Sequence, residues 1–304
     1  MSPDSAEKIA AGDEGMRALA EIPSGCLVAF RMSIPLEDTA ADIIGKAQRG
    51  LAISDSQLAK RAGLAAEKIA KLRGGEFEEA AIRAVAPVLA LDPESLLKLA
   101  EGRWEPEPVE EIEGLAQFNT IFGDMTVNAY LVWDPRAREA VAFDTGADCT
   151  AMLARIAREQ LDVNFVLLTH AHPDHIADLK RLSVDTGAPV FISSLETVPD
   201  ARSIGEGEEV KVGRLTIRAL LTSGHSRGGM TFFVQGLARP VAIVGDSLFA
   251  ASMGGGAISY ADALRNNREK ILTLSEETIV CPGHGPLTTV GKEKRENPFF
   301  AGSL

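Results

Sequence analysis

Basic charge is scarce in this sequence: 31 Lys and Arg stand against 43 Asp and Glu, a net charge of −12 over 304 residues. A surface of that sign repels polyanions unless its basic residues are concentrated in one place. Cysteine is scarcer still. Cys26, Cys149 and Cys281 form no C-x-x-C pair, and an odd set without such spacing fits a reducing compartment better than a disulfide framework. No apolar run approaches the roughly 18 residues of a membrane span. Residues 1–15 mix acids with Gly and Ala, and the apolar stretch 26–30 is too short for a signal-peptide core. These absences predict a cytoplasmic protein with no membrane partner. The remainder is ordinary for a globular chain, 45% hydrophobic and 24% charged, and long enough for two domains.

Residues 1–38 carry little pattern and read as an N-terminal extension open to disorder, within which Met32 also has the look of a start. Residues 39–103 read as all-helical. The spacing predicts helices over 39–49, from the capping box Ser54-Asp55-Ser56-Gln57 to Ala62, and over 65–73, 80–89 and 93–100. Gly63 and Gly74-Gly75 punctuate them, and Asp92 followed by Pro93 is a helix start. Residues 104–114 are acidic and contain Pro106 and Pro108, so they read as a linker. From 115 to 304 strands alternate with helices. Strands are expected over 127–133, 140–143, 165–168, 190–192, 215–221, 230–234, 241–244 and 278–281, and helices over 152–160, 176–182 and 260–274. That alternation predicts an α/β domain.

The chain has only five histidines, and all fall in motif contexts. Thr169-His170-Ala171-His172-Pro173-Asp174-His175 holds three, Ser223-Gly224-His225 one and Pro282-Gly283-His284-Gly285 the last. Each follows an apolar strand pattern, as does Gly245-Asp246, and ligands placed just past strand ends can converge on one edge of a sheet. Imidazole and carboxylate donors without thiolate suit zinc, and also iron or manganese.

H-x-H-x-D-H, a distant Gly-His, Gly-Asp and Pro-Gly-His-Gly together resemble the metallo-β-lactamase superfamily. The resemblance implies an αββα sandwich with two metal ions at one edge. It implies that His170, His172 and His225 hold one ion, that Asp174, His175 and His284 hold the other, and that Asp246 bridges them. A water shared by two such cations loses its proton near neutral pH and becomes a nucleophile. Asp174 would orient that hydroxide or deliver a proton to the leaving group, which makes it the expected catalytic residue.

Asp246 within Gly-Asp-Ser-Leu-Phe, the segment 282–289 and Asn297-Pro298-Phe299 are similar to the glyoxalase II branch. That implies hydrolysis of a small-molecule thioester or ester, such as an acylglutathione. Glyoxalase II continues into a C-terminal helical domain that helps to bind glutathione, whereas this chain ends at Leu304, so the thiol carrier stays open. Persulfide dioxygenases share these histidines but use one iron ion, and they are the alternative within the superfamily. A nuclease is disfavoured, because residues 106–304 hold 18 basic and 26 acidic side chains. Candidate substrate contacts are Arg227, Tyr260 and Arg265. Cys281 reads as a core residue and Cys149 as a cap for the helix that follows it.

Residues 56–75 are similar to the phage-repressor-type helix-turn-helix. Residues 45–75 hold seven basic and two acidic side chains, a local excess inside an acidic protein. The resemblance implies a DNA-binding regulator whose metal domain senses or destroys an effector, with Lys60, Arg61, Lys68, Lys71 and Arg73 as candidate DNA contacts. Against it, the expected recognition helix begins Ala-Ala-Glu, without the side chains that read base edges. A homodimerisation bundle and a ligand-sensing lid are the alternatives for this segment.

Overall fold

A computed structural model of the chain describes residues 34–302. The expectations for residues 1–33 lie outside the described residues. The described residues form one compact unit.

The chain enters through five short helical segments: α1 (Ala40–Gly50), α2 (Asp55–Ala62), α3 (Ala66–Arg73), α4 (Glu79–Val85) and α5 (Pro93–Ala100). Their starts are written in side chains. The Thr39 and Ser54 hydroxyls accept from the amides of Asp42 and Gln57, whose side chains reach back to the capping backbone, and Asp92 accepts from the Ser95 amide at 2.8 Å. Gly63 closes α2 at φ 66°, in the left-handed region that glycine favours. α4 is shorter than the predicted 80–89. Pro87 has no amide to donate and its ring crowds the carbonyl four residues back, so the chain tightens into a 3-10 turn, Pro87–Leu89.

Two six-stranded sheets follow. The first runs β1 (Leu115–Phe122), β2 (Met125–Trp133), β3 (Glu139–Phe143), β4 (Asp162–Leu167), β5 (Val190–Ser193) and β6 (Arg202–Ile204) in spatial order. The second contains β7 (Glu209–Val212), β8 (Leu215–Leu221), β9 (Met230–Gln235), β10 (Val241–Gly245), β11 (Ile279–Pro282) and β12 (Thr288–Thr289), arranged β12 to β7. Period-two alternation divides their side chains. Tyr130, Val132, Val141 and Phe143 meet Ile217, Phe232, Val234 and Ile243 between the sheets, where Cys281 is also buried as expected. Ala129, Leu131 and Trp133 point the other way, into a cluster with Met152 of α6 (Thr150–Glu159) and Leu182 of α8 (Leu179–Thr186).

The outer face of the second sheet is covered by the helical segments. Ala242, Val244 and Val280 share one buried cluster with Ile43, Ile44, Leu89 and Leu96. The stretch expected as a linker is fastened down: Trp104 is buried, its indole N–H donates to the Glu296 carbonyl at 3.0 Å, and Glu107 pairs with Arg295 at 2.6 Å. Glu296 and Arg295 belong to α10 (Val290–Glu296), which the pattern did not reveal.

Two further expected elements change shape. The helix predicted over 176–182 is two, α7 (Pro173–Ile176) and α8, split around Asp178. Asp178 is also the partner of Cys149. That residue occupies the N-cap position of α6 without capping it, and its thiol donates instead to Asp178 Oδ2 at 3.1 Å. The helix predicted over 260–274 is α9 (Tyr260–Asn266) continued by a π-helical stretch, Asn267–Ile271, where the Asn267 amide donates to the Ala263 and Ser247 carbonyls.

Candidate metal centre

Strand ends supply the site. β4 runs into His170 and His172. Pro173 then opens α7, where a missing amide costs nothing at the first helical position, and the single turn carries Asp174 and His175. β8 leads to His225, β10 to Asp246 and β11 to His284. The close approach needs glycine at one point above all: a Cβ on Gly283 would collide with Asp246 Oδ1.

The side chains gather into two groups, His170, His172, His225 and Asp246, and Asp174, His175 and His284. Within each group one ligand atom per residue lies within 4.8 Å of the others. Asp246 stands between the groups. Its Oδ2 is 3.3 Å from His225 Nε2 and 3.4 Å from His284 Nε2, and its Oδ1 is 3.3 Å from His175 Nε2. Asp174 Oδ2 lies 3.3 Å from His284 Nε2 and 3.5 Å from His175 Nε2. His225 Nε2 is 3.0 Å from His172 Nδ1.

The opposite ring nitrogens are tied to the fold. His284 Nδ1 donates to the Thr126 carbonyl at 2.6 Å, and His225 Nδ1 lies 3.1 Å from that of Gly255. His175 Nδ1 is 2.8 Å from Asp144 Oδ2. Asp144 accepts the Thr169 amide and hydroxyl, both at 2.7 Å, and that hydroxyl is 3.1 Å from His170 Nδ1. Asp144 therefore sets two imidazoles at once, yet sequence reasoning passed over it. The available signal was a carboxylate directly after β3, in Phe143-Asp144-Thr145-Gly146, placed like the other strand-end ligands but with no histidine beside it.

Electrostatics divide the imidazoles. Burial, reinforced by the neighbouring His175, pushes His170 well below the ordinary histidine range, and burial also lowers His225. Burial opposes charge on His175 and His284 too, but nearby carboxylates outweigh it. Asp246 and Asp144 raise His175 to about 10, and Asp246 and Asp174 raise His284 to about 11. Burial would raise Asp246 and Asp174, but His175 and His284 hold both carboxyls below their usual range.

These residues fit a metal. His170 Nε2, His175 Nε2 and Asp246 Oδ1 are buried without a hydrogen-bond partner, a condition that costs roughly 1–3 kcal/mol per group. Unpartnered imidazole nitrogens beside buried carboxylates are what a divalent cation satisfies, and a donor set without thiolate suits zinc, iron or manganese.

The other candidates are placed differently. Arg227 is exposed just past His225. Tyr260 is half-buried against Gly50 and Gly256, where burial raises its hydroxyl to about 12. Arg265 is exposed on α9 and pairs with Asp262 at 2.7 Å. Among the basic residues of the helical segments, Lys68 pairs with Glu78 at 2.6 Å, Lys71 lies 3.4 Å from Glu76, and Arg73 donates to the Ala41 carbonyl at 3.1 Å. Lys60 and Arg61 are exposed on α2. Among the described residues no helix is long and apolar enough to cross a membrane.

The sequence model of the metallo-beta-lactamase superfamily matches residues 122–284, which contain every residue of the centre and none of α1–α5. Hydroxyacylglutathione hydrolase GloC of Haemophilus influenzae is 29% identical over 198 residues, covering 57% of this chain and 92% of that protein. The crystal structure of BLEG-1, a B3 metallo-beta-lactamase, superposes with a TM-score of 0.55 at 33% identity, covering 62% of this chain and 100% of that one. ETHE1 from Myxococcus xanthus superposes with a TM-score of 0.55 at 27% identity, covering 62% of this chain and 86% of that one.

Proposed function

The chain belongs to the metallo-beta-lactamase superfamily, and from that membership we propose that it is a metal-dependent hydrolase of small-molecule thioesters or esters. The observation that carries the proposal is Asp246, one carboxylate facing both ligand groups at 3.3–3.4 Å, as a ligand shared by two cations would. In this reading His170, His172 and His225 would hold one ion, Asp174, His175 and His284 would hold the second, and Asp246 would serve both. Zinc is our first assignment, and iron and manganese suit the same donors. The similarity to GloC, a hydroxyacylglutathione hydrolase, supports a thioester.

When bound, the ions supply Lewis-acid polarisation of the substrate carbonyl and a water acidified toward neutral pH. The chain's own groups do the rest. Asp174 is held ionised beside His284 and His175, so its carboxylate would accept a proton from the attacking water and pass it to the departing sulfur, giving acid and thiol. Asp144 and Thr169 fix the rings of His175 and His170 before substrate arrives.

The experiment is metal analysis of untagged protein from medium supplying zinc and iron, followed by a panel of acyl thioesters. Close to two ions per chain, with thioester cleavage abolished by chelation, is the expected result. One iron per chain with oxygen uptake on a persulfide, and no thioester cleavage, would overturn it in favour of the dioxygenase reading.

A further inference from the structure

One charged side chain of the helical part faces the centre without belonging to it. Residues 34–39 lead into α1 along the turn that carries His284: a Cβ on Gly285 would stand 3.4 Å from the Glu37 amide nitrogen and 3.7 Å from the Pro35 carbonyl. Glu37 Oε2 is 4.0 Å from His284 Nδ1, too long for a hydrogen bond, and that nitrogen already donates to Thr126. The Glu37 side chain stays 28% exposed, and solvent also reaches His225, at 19%.

The charged groups around Glu37 are His284, Asp38, Lys46 and Asp246. Lys46 does not neutralise it. Its ammonium sits 2.5 Å from Asp38 and donates to the Met253 carbonyl at 2.9 Å, and it lies 5.1 Å over the Phe249 ring. That ring in turn stands edge-on to His284 at 5.7 Å. Lys46 and Asp38 pair with each other and are the more buried, so the carboxylate that this wall exposes beside His284 is that of Glu37.

We propose that Glu37 is a charge-selecting residue for the reaction proposed above: the part of the substrate that rests beside His284 is cationic or uncharged, and an anionic group there is rejected. The proposal rests on the thioester reading only for its choice of substrates. A unit charge acting over about 8 Å at the effective dielectric of a protein surface changes affinity by roughly five- to thirty-fold. A carrier thiol bearing an amine or quaternary ammonium is therefore favoured over one bearing an acid.

The test uses the full-length, metal-loaded protein and three uncleavable thioethers: S-propyl thiocholine, N-acetyl-S-propylcysteamine and S-propyl mercaptoethanesulfonate, whose sulfonate ligates metals poorly. Calorimetry should rank them cation, neutral, anion. Glu37→Gln should weaken the cation and strengthen the anion, each by roughly five- to thirty-fold, and move the neutral compound least. High salt should compress the ranking in the unsubstituted protein, a readout that needs no variant to fold. Equal binding of all three, no binding of any, or an equal change in all three on substitution overturns the proposal. If the ranking holds while no thioester is cleaved, the hydrolase reading falls and the charge selection stands.

Discussion

Two regions of this molecule concentrate one kind of residue, and the fold treats them in opposite ways. In the sandwich, histidines spread over more than a hundred residues of chain arrive in one cluster. In α1–α3, seven basic residues crowded into 45–75 disperse: Lys46 turns to Asp38, Lys68 to Glu78, Lys71 to Glu76 and Arg73 to a backbone carbonyl. The difference lies in the backbone. A side chain just past a strand end projects from the sheet edge, and neighbouring strands carry such positions to the same edge. Successive residues on a helix point about a hundred degrees apart, so nearness in sequence sends like charges to different faces.

The comparison predicts where substitution hurts most. His172→Ala removes a strand-end ligand and should abolish both metal content and turnover, exceeding the roughly 10- to 100-fold cost of losing an outer partner. Metal analysis and an activity assay on the same sample check this, and full activity in the variant would refute the centre. Asp144→Asn comes next. The asparagine carbonyl can still accept from Thr169, but its NH₂ would face the His175 Nδ1 proton, so metal affinity should fall by roughly 10- to 100-fold. A competition titration against a chelator measures it, and unchanged affinity would mean that the His175 ring is set by packing alone.

The same contrast explains what could be read from the sequence. The helix starts at Ser54 and Asp92 were legible because a capping hydroxyl or carboxylate acts within four residues of chain. The strand-end ligands were legible because each sits beside an apolar run. β1 was missed because Leu115–Phe122 is an edge strand left half in water, with Asn119 and Ile121 exposed, and so carries no clean alternation. Asp144 and Glu37 were missed for another reason: their meaning depends on residues more than thirty positions away, with which no local pattern connects them.

Between sandwich and bundle lies a group that should report on pH. Glu293 of α10 is fully buried, accepting from Thr288, Asn297 and the Ala251 amide, and burial raises its carboxyl to about 7. A raised carboxyl pKa favours the protonated form in the folded state. Its contribution is therefore complete below the unfolded value of 4.5 and is lost as pH rises through about 7, a change of about 3 kcal/mol. Urea midpoints at pH 5 and pH 8 should converge in Glu293→Gln relative to the unsubstituted protein, with the variant the more stable at pH 8. Parallel profiles would show that the carboxyl is ionised in the fold throughout.

The smallest expected effect probes the seam itself. Gly50, the last residue of α1, lies against the ring of Tyr260, and a Cβ at Gly50 would run into that ring. Two terms of opposite sign meet in Gly50→Ala. Alanine gains up to about 1 kcal/mol in helix propensity, whereas overpacking typically costs about 1–3 kcal/mol. The clash should win, leaving the variant slightly less stable. In a Tyr260→Ala background the ring is gone and only the propensity gain remains, so the same change should become stabilising. A double-mutant cycle on urea midpoints reads the reversal directly, because the two residues touch and their effects should not add. The same sign in both backgrounds would mean that α1 and α9 do not constrain each other there, and the bundle would then be held to the sandwich by its apolar face alone.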